Sequence, residues 1–156
     1  MSSPVNPPPE SPGSVTGRVL ALDVGAKTIG LAVSDALGIT AQGLETIRRR
    51  NKRADFATLE HVLRQHDVRE IVVGYPLRMS GSAGTQSERM TAFAEELRQR
   101  FALPVHLWDE RLTSAQANRL LRETNMSIRR RAQVVDRLAA VLILQSFLDH
   151  RSASRA

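Results

Sequence analysis

The topology of this chain turns on Val19-Leu20-Ala21-Leu22-Asp23-Val24-Gly25-Ala26-Lys27-Thr28-Ile29-Gly30-Leu31-Ala32-Val33-Ser34. Val19 to Leu22 is an unbroken apolar run, the pattern of a strand buried on both faces. It ends at an acid, Asp23. Gly25 to Thr28 predicts a tight turn, with glycine permitting positive φ and the close approach of a phosphate backbone. Ile29 to Ser34 returns as a second strand. Gly38 marks another turn, and Gln42 to Thr46 predicts a third, short strand. The three form a meander.

Outward from that hairpin, Phe56, Leu59, Val62 and Leu63 lie along one helical stripe. Ile71-Val72-Val73-Gly74 predicts a fourth strand. Residues 75–87 read as a polar loop leading into a helix that carries Met90, Phe93, Leu97 and Phe101. Val105 to Trp108 is a fifth strand, ending at Asp109-Glu110-Arg111. Thr113 or Ser114 can cap a helix bearing Ala117, Leu120 and Leu121. Asn125 to Ala132 reads as a basic loop, and a final helix spans about Val135 to Leu148. The order β-β-β-α-β-α-β-α-α predicts an α/β domain, a five-stranded mixed sheet flanked by helices. It is the strand order of a ribonuclease H-like fold. Pro4, Pro7, Pro8, Pro9 and Pro12 mark residues 1–17 as a disordered N-terminal tail. The expected folded unit is 18–149, with 150–156 a frayed tail.

Composition narrows the chemistry. At 156 residues the chain is one domain. Aromatics are only 4%, which excludes a single-strand binder built on many stacked rings. Cysteine is absent, which excludes disulfides, thiolate zinc sites and cysteine nucleophiles. Basic residues outnumber acidic ones 22 to 16, for a net charge of +6. The sequence pI near 11.1 is an electrostatic footprint of nucleic-acid binding. No apolar run is long enough to cross a membrane and no secretory leader is legible, so a cytoplasmic location without a membrane partner is expected.

Against that basic background, a few acids stand out by placement. Asp23 ends the first strand, and Asp109 and Glu110 end the fifth. Ligands of open α/β sheets bind at such strand ends. Asp136 lies early in the last helix, with Ala139, Ala140 and Ile143 on its face. Two small neighbours let that helix approach the sheet closely. Clustered carboxylates repel one another, and a hard divalent cation, Mg²⁺ or Mn²⁺, removes that penalty. Two such ions about 4 Å apart clamp the attacking and leaving oxygens of a phosphodiester displacement. Strand alternation lets one of Asp109 and Glu110 face the metals, and the longer arm favours Glu110. Each acid also has a bland reading: a turn residue at Asp23, a helix cap at Asp109, a dipole partner at Asp136.

Four motifs are similar to those of the YqgF family. They are Leu22 to Asp35, Val73-Gly74-Tyr75-Pro76-Leu77 with Gly81 and Phe93, Asp109-Glu110-Arg111-Leu112-Thr113, and Asp136 to Gln145. Members of that family are described as Holliday junction resolvases of the RuvC type or as pre-16S rRNA nucleases. The resemblance implies a ribonuclease H-like endonuclease that processes the 5′ end of pre-16S rRNA in ribosome biogenesis. It carries the acidic cluster to Asp23, Asp109 or Glu110, and Asp136. Many members have Arg where Thr28 stands, and Lys27 is the neighbouring substitute for a phosphate contact.

Arg111, beside the acidic pair, is suited to neutralise it or to hold a phosphate bidentately. Arg78 belongs to a glycine-containing loop suited to act as a flap. Arg129, Arg130 and Arg131, and Arg48 to Arg50 with Lys52 and Arg53, are candidate backbone contacts, though a charge run is more often plain solvated surface. No histidine shows metal-ligand spacing. Alternatives are cleavage of branched DNA, which needs a homodimer for two symmetric cuts, a non-catalytic nucleic-acid or ribosome-associated module, and nucleotide hydrolysis. The last needs two such domains closing on one nucleotide, for which the chain is too short. The chain is expected to be a monomer or a homodimer.

Overall fold

The computed structural model describes residues 17–75, 85–109 and 128–155. Five strands, β1 (Arg18–Val24), β2 (Thr28–Ser34), β3 (Ala41–Arg48), β4 (Val68–Tyr75) and β5 (Val105–Asp109), form one sheet in the order β3-β2-β1-β4-β5. β1 to β3 pair antiparallel as the meander the sequence predicts, and β1, β4 and β5 pair parallel. Helices α1 (Lys52–Gln65), α2 (Thr85–Phe101) and α3 (Ile128–Arg155) cover its faces. Asn51 starts α1 as a cap, its side chain accepting from the Ala54 N–H at 2.8 Å.

Alternation along the strands sorts the core into two layers. Leu20, Leu22, Leu31 and Val73 point to the face covered by α1 and α2, where they meet Phe56, Leu59 and Leu97. Val19, Ala21, Ala32 and Val72 point the other way, against Ala140, Ile143, Leu144 and Phe147 of α3. The small residues on this second face let α3 sit close, as the pair Ala139 and Ala140 predicts.

The last helix differs from the expectation at both ends. It begins at Ile128, so Arg129, Arg130 and Arg131 lie in helix rather than in a basic loop. No Gly or Pro interrupts Ile128 to Arg155, and the arginines and alanines there are good helix formers. At the other end the helix runs through most of the segment read as a frayed tail. Its anchor is Arg151, which pairs with the buried Glu70 and lies over the Phe147 ring at 4.5 Å. Gly25 also departs from the expectation: it is not among the positive-φ glycines. Close approach explains it, since a Cβ there would sit 3.2 Å from the Thr28 carbonyl oxygen. The expected tail up to residue 16, the loop around Arg78 and the helix of Ala117 to Leu121 lie outside the described residues.

Candidate active site at the carboxyl ends of the strands

Asp23 is half-buried on the last turn of pleat in β1. Val19 and Ala21 belong to the layer under α3, and alternation puts Asp23 on the same face. Its cross-strand partner is Gly30, which sets no side chain beside the carboxylate. The turn that follows is closed by a hydrogen bond from the Gly25 N–H to the Thr28 carbonyl at 2.8 Å. Lys27 is exposed on it, and Thr28 is half-buried where β2 begins.

In the parallel half of the sheet, Leu22 pairs with Val73 and Val73 with Leu107. One residue further on, Asp23 is level with Gly74 and Trp108, and Asp109 follows in the next row opposite Tyr75. The ends of β1 and β5 are therefore two strands apart at one edge of the sheet. Asp136 lies in α3, more than two turns past its start at Ile128. The helix dipole acts on the first turn only, so its field does not account for an acid at that depth. Glu110, Arg78 and Arg111 lie outside the described residues.

Next to the β1–β2 turn is a basic region that individual motifs only hinted at. The Arg49 N–H donates to the Lys27 carbonyl at 2.8 Å, and the Arg49 guanidinium donates to the Gly25 carbonyl at 2.7 Å. Asp55, buried at the start of α1, accepts from the Arg50 N–H at 3.1 Å and lies 3.7 Å from Arg49. Asp55 and Arg89 escaped the sequence reading. An acid in the first turn of a helix just after an arginine run was the available signal for Asp55.

At the opposite end of the sheet, Glu70 is held by both His106 and Arg151. Burial pushes the Glu70 carboxyl up, but these hydrogen bonds and the two nearby charges outweigh it and hold it below the usual carboxylate range. His106, which had no assigned role, is thus structural.

Three antiparallel strands followed by two parallel ones in this order define a ribonuclease H-like domain. The chain belongs to the RuvX family, whose model, described as Holliday junction resolvase, matches residues 17–150. That match bears out the resemblance carried by the four motifs. A protein of Koribacter versatilis named "Putative pre-16S rRNA nuclease" is 58% identical over 94% of this chain and 95% of its own length. One of the same name from Moorella thermoacetica is 55% identical over 85% of this chain and 94% of its own. Among solved structures, Thermus thermophilus RuvC in complex with a Holliday junction substrate superposes with a TM-score of 0.55 at 13% identity. That superposition covers 88% of this chain and 97% of the RuvC chain, and it supports the fold. Among the described residues no helix is long and apolar enough to cross a membrane.

Proposed function

We propose that the protein is a divalent-metal-dependent endonuclease that trims the 5′ end of pre-16S rRNA. Asp23, Glu110 and Asp136 are its metal ligands, and Asp109 is the neighbouring carboxylate. The observation that carries this is Asp23 at a carboxyl strand end, on the face of the sheet that α3 covers. Ala140 and Ile143, four and seven residues after Asp136, are buried in that same layer. Helical spacing from these two buried residues is what supports Asp136 as a ligand at this end. Gln145 and Arg151 anchor the helix near the opening ends of β3 and β4. From them position 136 lies about 14 to 22 Å along the axis. That covers the roughly 13 Å of β1 between Val19 and Asp23. In β5 the face of α3 belongs to His106 and Trp108, whose rings meet Phe147.

The donor chemistry fits Mg²⁺ or Mn²⁺, since carboxylates are the oxygen ligands these ions prefer. Among the described residues no three such groups gather; Glu110 and the side chain of Asp136 lie outside them. When bound, a pair of ions neutralises the acids and stabilises the charge of a phosphodiester displacement. The exposure of Lys27 on the turn after Asp23 supports its contact with a phosphate of the strand. Thr28, Arg78, Arg111 and Arg129 to Arg131 complete the proposed contacts.

The test offers precursor rRNA ends, single-stranded RNA and a four-way DNA junction in parallel, with Mg²⁺ or Mn²⁺ and an Asp136→Asn control. Cleavage of the precursor end alone, lost in the control, is expected. The family description favours a second reading, junction resolution. Selective cutting of the junction by a stable dimer would establish that reading instead.

A further inference from the structure

A cleft of about 420 Å³ opens between the β1–β2 turn, the β3–α1 junction and α2, lined by Ala26, Arg49, Arg50, Lys52, Arg89 and Phe93, among others. We propose that it binds a backbone phosphate of the RNA strand being cut, away from the scissile bond. The proposal rests on the nuclease reading above and adds a second contact point for its substrate.

Four cations line the cleft against a single acid, Asp55. Asp55 is already engaged: it is buried, pairs with Arg49 and accepts from the Arg50 N–H. Lys52 pairs with Glu96 at 3.0 Å. Among the described residues, neither Arg50 nor Arg89 forms an ion pair. Two exposed guanidiniums thus face one concavity with uncompensated charge, which is the condition for focusing a field on an anion. Each presents a planar fork suited to phosphate oxygens.

The cleft is also tied to the candidate active site. Arg49 holds the Gly25 and Lys27 carbonyls, so the cleft wall and the turn after Asp23 form one hydrogen-bonded unit. Ala26, on the rim, is three residues from Asp23, a reach of at most about 11 Å. Phe56 and Phe93 lie on the α1–α2 side of the sheet, whereas Asp23 lies under α3. A strand held at both places crosses the end of the sheet from one face to the other.

The test compares wild type with the Arg50→Ala/Arg89→Ala double variant. Affinity for a short labelled single-stranded RNA is measured across a salt series without divalent metal, and for a four-way DNA junction alongside. RNA binding about tenfold weaker, with a log–log salt slope shallower by about 1 to 2, is expected. Both side chains are exposed, so an unchanged melting temperature accompanies that loss. Unchanged RNA affinity and slope would overturn the proposal, as would a loss confined to the junction. Asp23→Asn keeps the two readings separable. If it still cleaves RNA like wild type, the nuclease site is misassigned, whereas the cleft is judged by RNA affinity and its salt slope, measured without metal or cleavage.

Discussion

The two ends of the sheet treat charge in opposite ways. At the opening ends of the parallel strands, Glu70 is buried with His106 and Arg151 around it, and the Ser34 hydroxyl accepts from the Val19 N–H at 2.8 Å. Gln145 seals the same end, accepting from the Ala41 N–H at 3.1 Å and donating to the Ile39 carbonyl at 3.0 Å. At the closing ends, Asp23 faces a glycine, Lys27 is exposed, and the neighbouring cleft holds more cations than acids. One end satisfies its polar groups internally. The other keeps a surplus that a polyanion can satisfy. The difference separates what holds the fold from what is offered to a substrate.

The sharpest break of that contrast is Asp23→Asn. On the proposed reading Asp23 is a metal ligand, and its loss forfeits several kcal/mol of transition-state stabilisation, about a thousandfold in rate. Single-turnover cleavage of precursor RNA is expected to fall by that factor with no loss of melting temperature. A fall in stability with cleavage intact would make Asp23 a structural acid. At the opposite end the pattern inverts. Arg151→Met leaves Glu70 buried without its main cation and is expected to cost about 3 kcal/mol in urea unfolding. Cleavage per folded molecule is expected to stay the same.

Acid offers a milder probe of the same end. Glu70 is held below its ordinary range, so it binds fewer protons folded than unfolded. Its contribution is present above the unfolded carboxylate range and lost as pH falls through the lower folded value. Wild type is therefore expected to lose stability on acidification more steeply than Glu70→Gln. Parallel curves for the two would mean that the contacts of Glu70 carry no net charge preference.

The two ends were not equally legible in the sequence. β1, β2, β4 and β5 could be read because each carries an apolar run bounded by turn residues, whereas the mixed β3 was read from its place after the Gly38 turn. The acids at 23 and 109 stood out as breaks in those runs. β3 runs on to Arg48, past the expected end at Thr46, because its pairing with Thr28 is a cross-strand contact with no local signal. The Glu70–His106–Arg151 cluster was invisible for the same reason: its members are 36 and 81 residues apart from Glu70 and meet only through the parallel pairing and α3. The start of α3 was missed because arginine runs suggest loops by charge, while their intrinsic propensity is helical.

The smallest expected effect lies at the seam between fold and cleft. Asn51 follows Arg49 and Arg50 and caps α1 through its bond to the Ala54 N–H. Asn51→Ala removes that acceptor and is expected to cost about 1 kcal/mol of stability. The cap also sets where α1 begins, and with it the place of Asp55, which holds Arg49 and the Arg50 backbone. If the closing end is preorganised through this short stretch, the variant weakens RNA binding as well as the fold. Calorimetry and RNA titration on the same sample separate the two. A stability loss with unchanged affinity would show that the arginines find the strand without help from the helix cap.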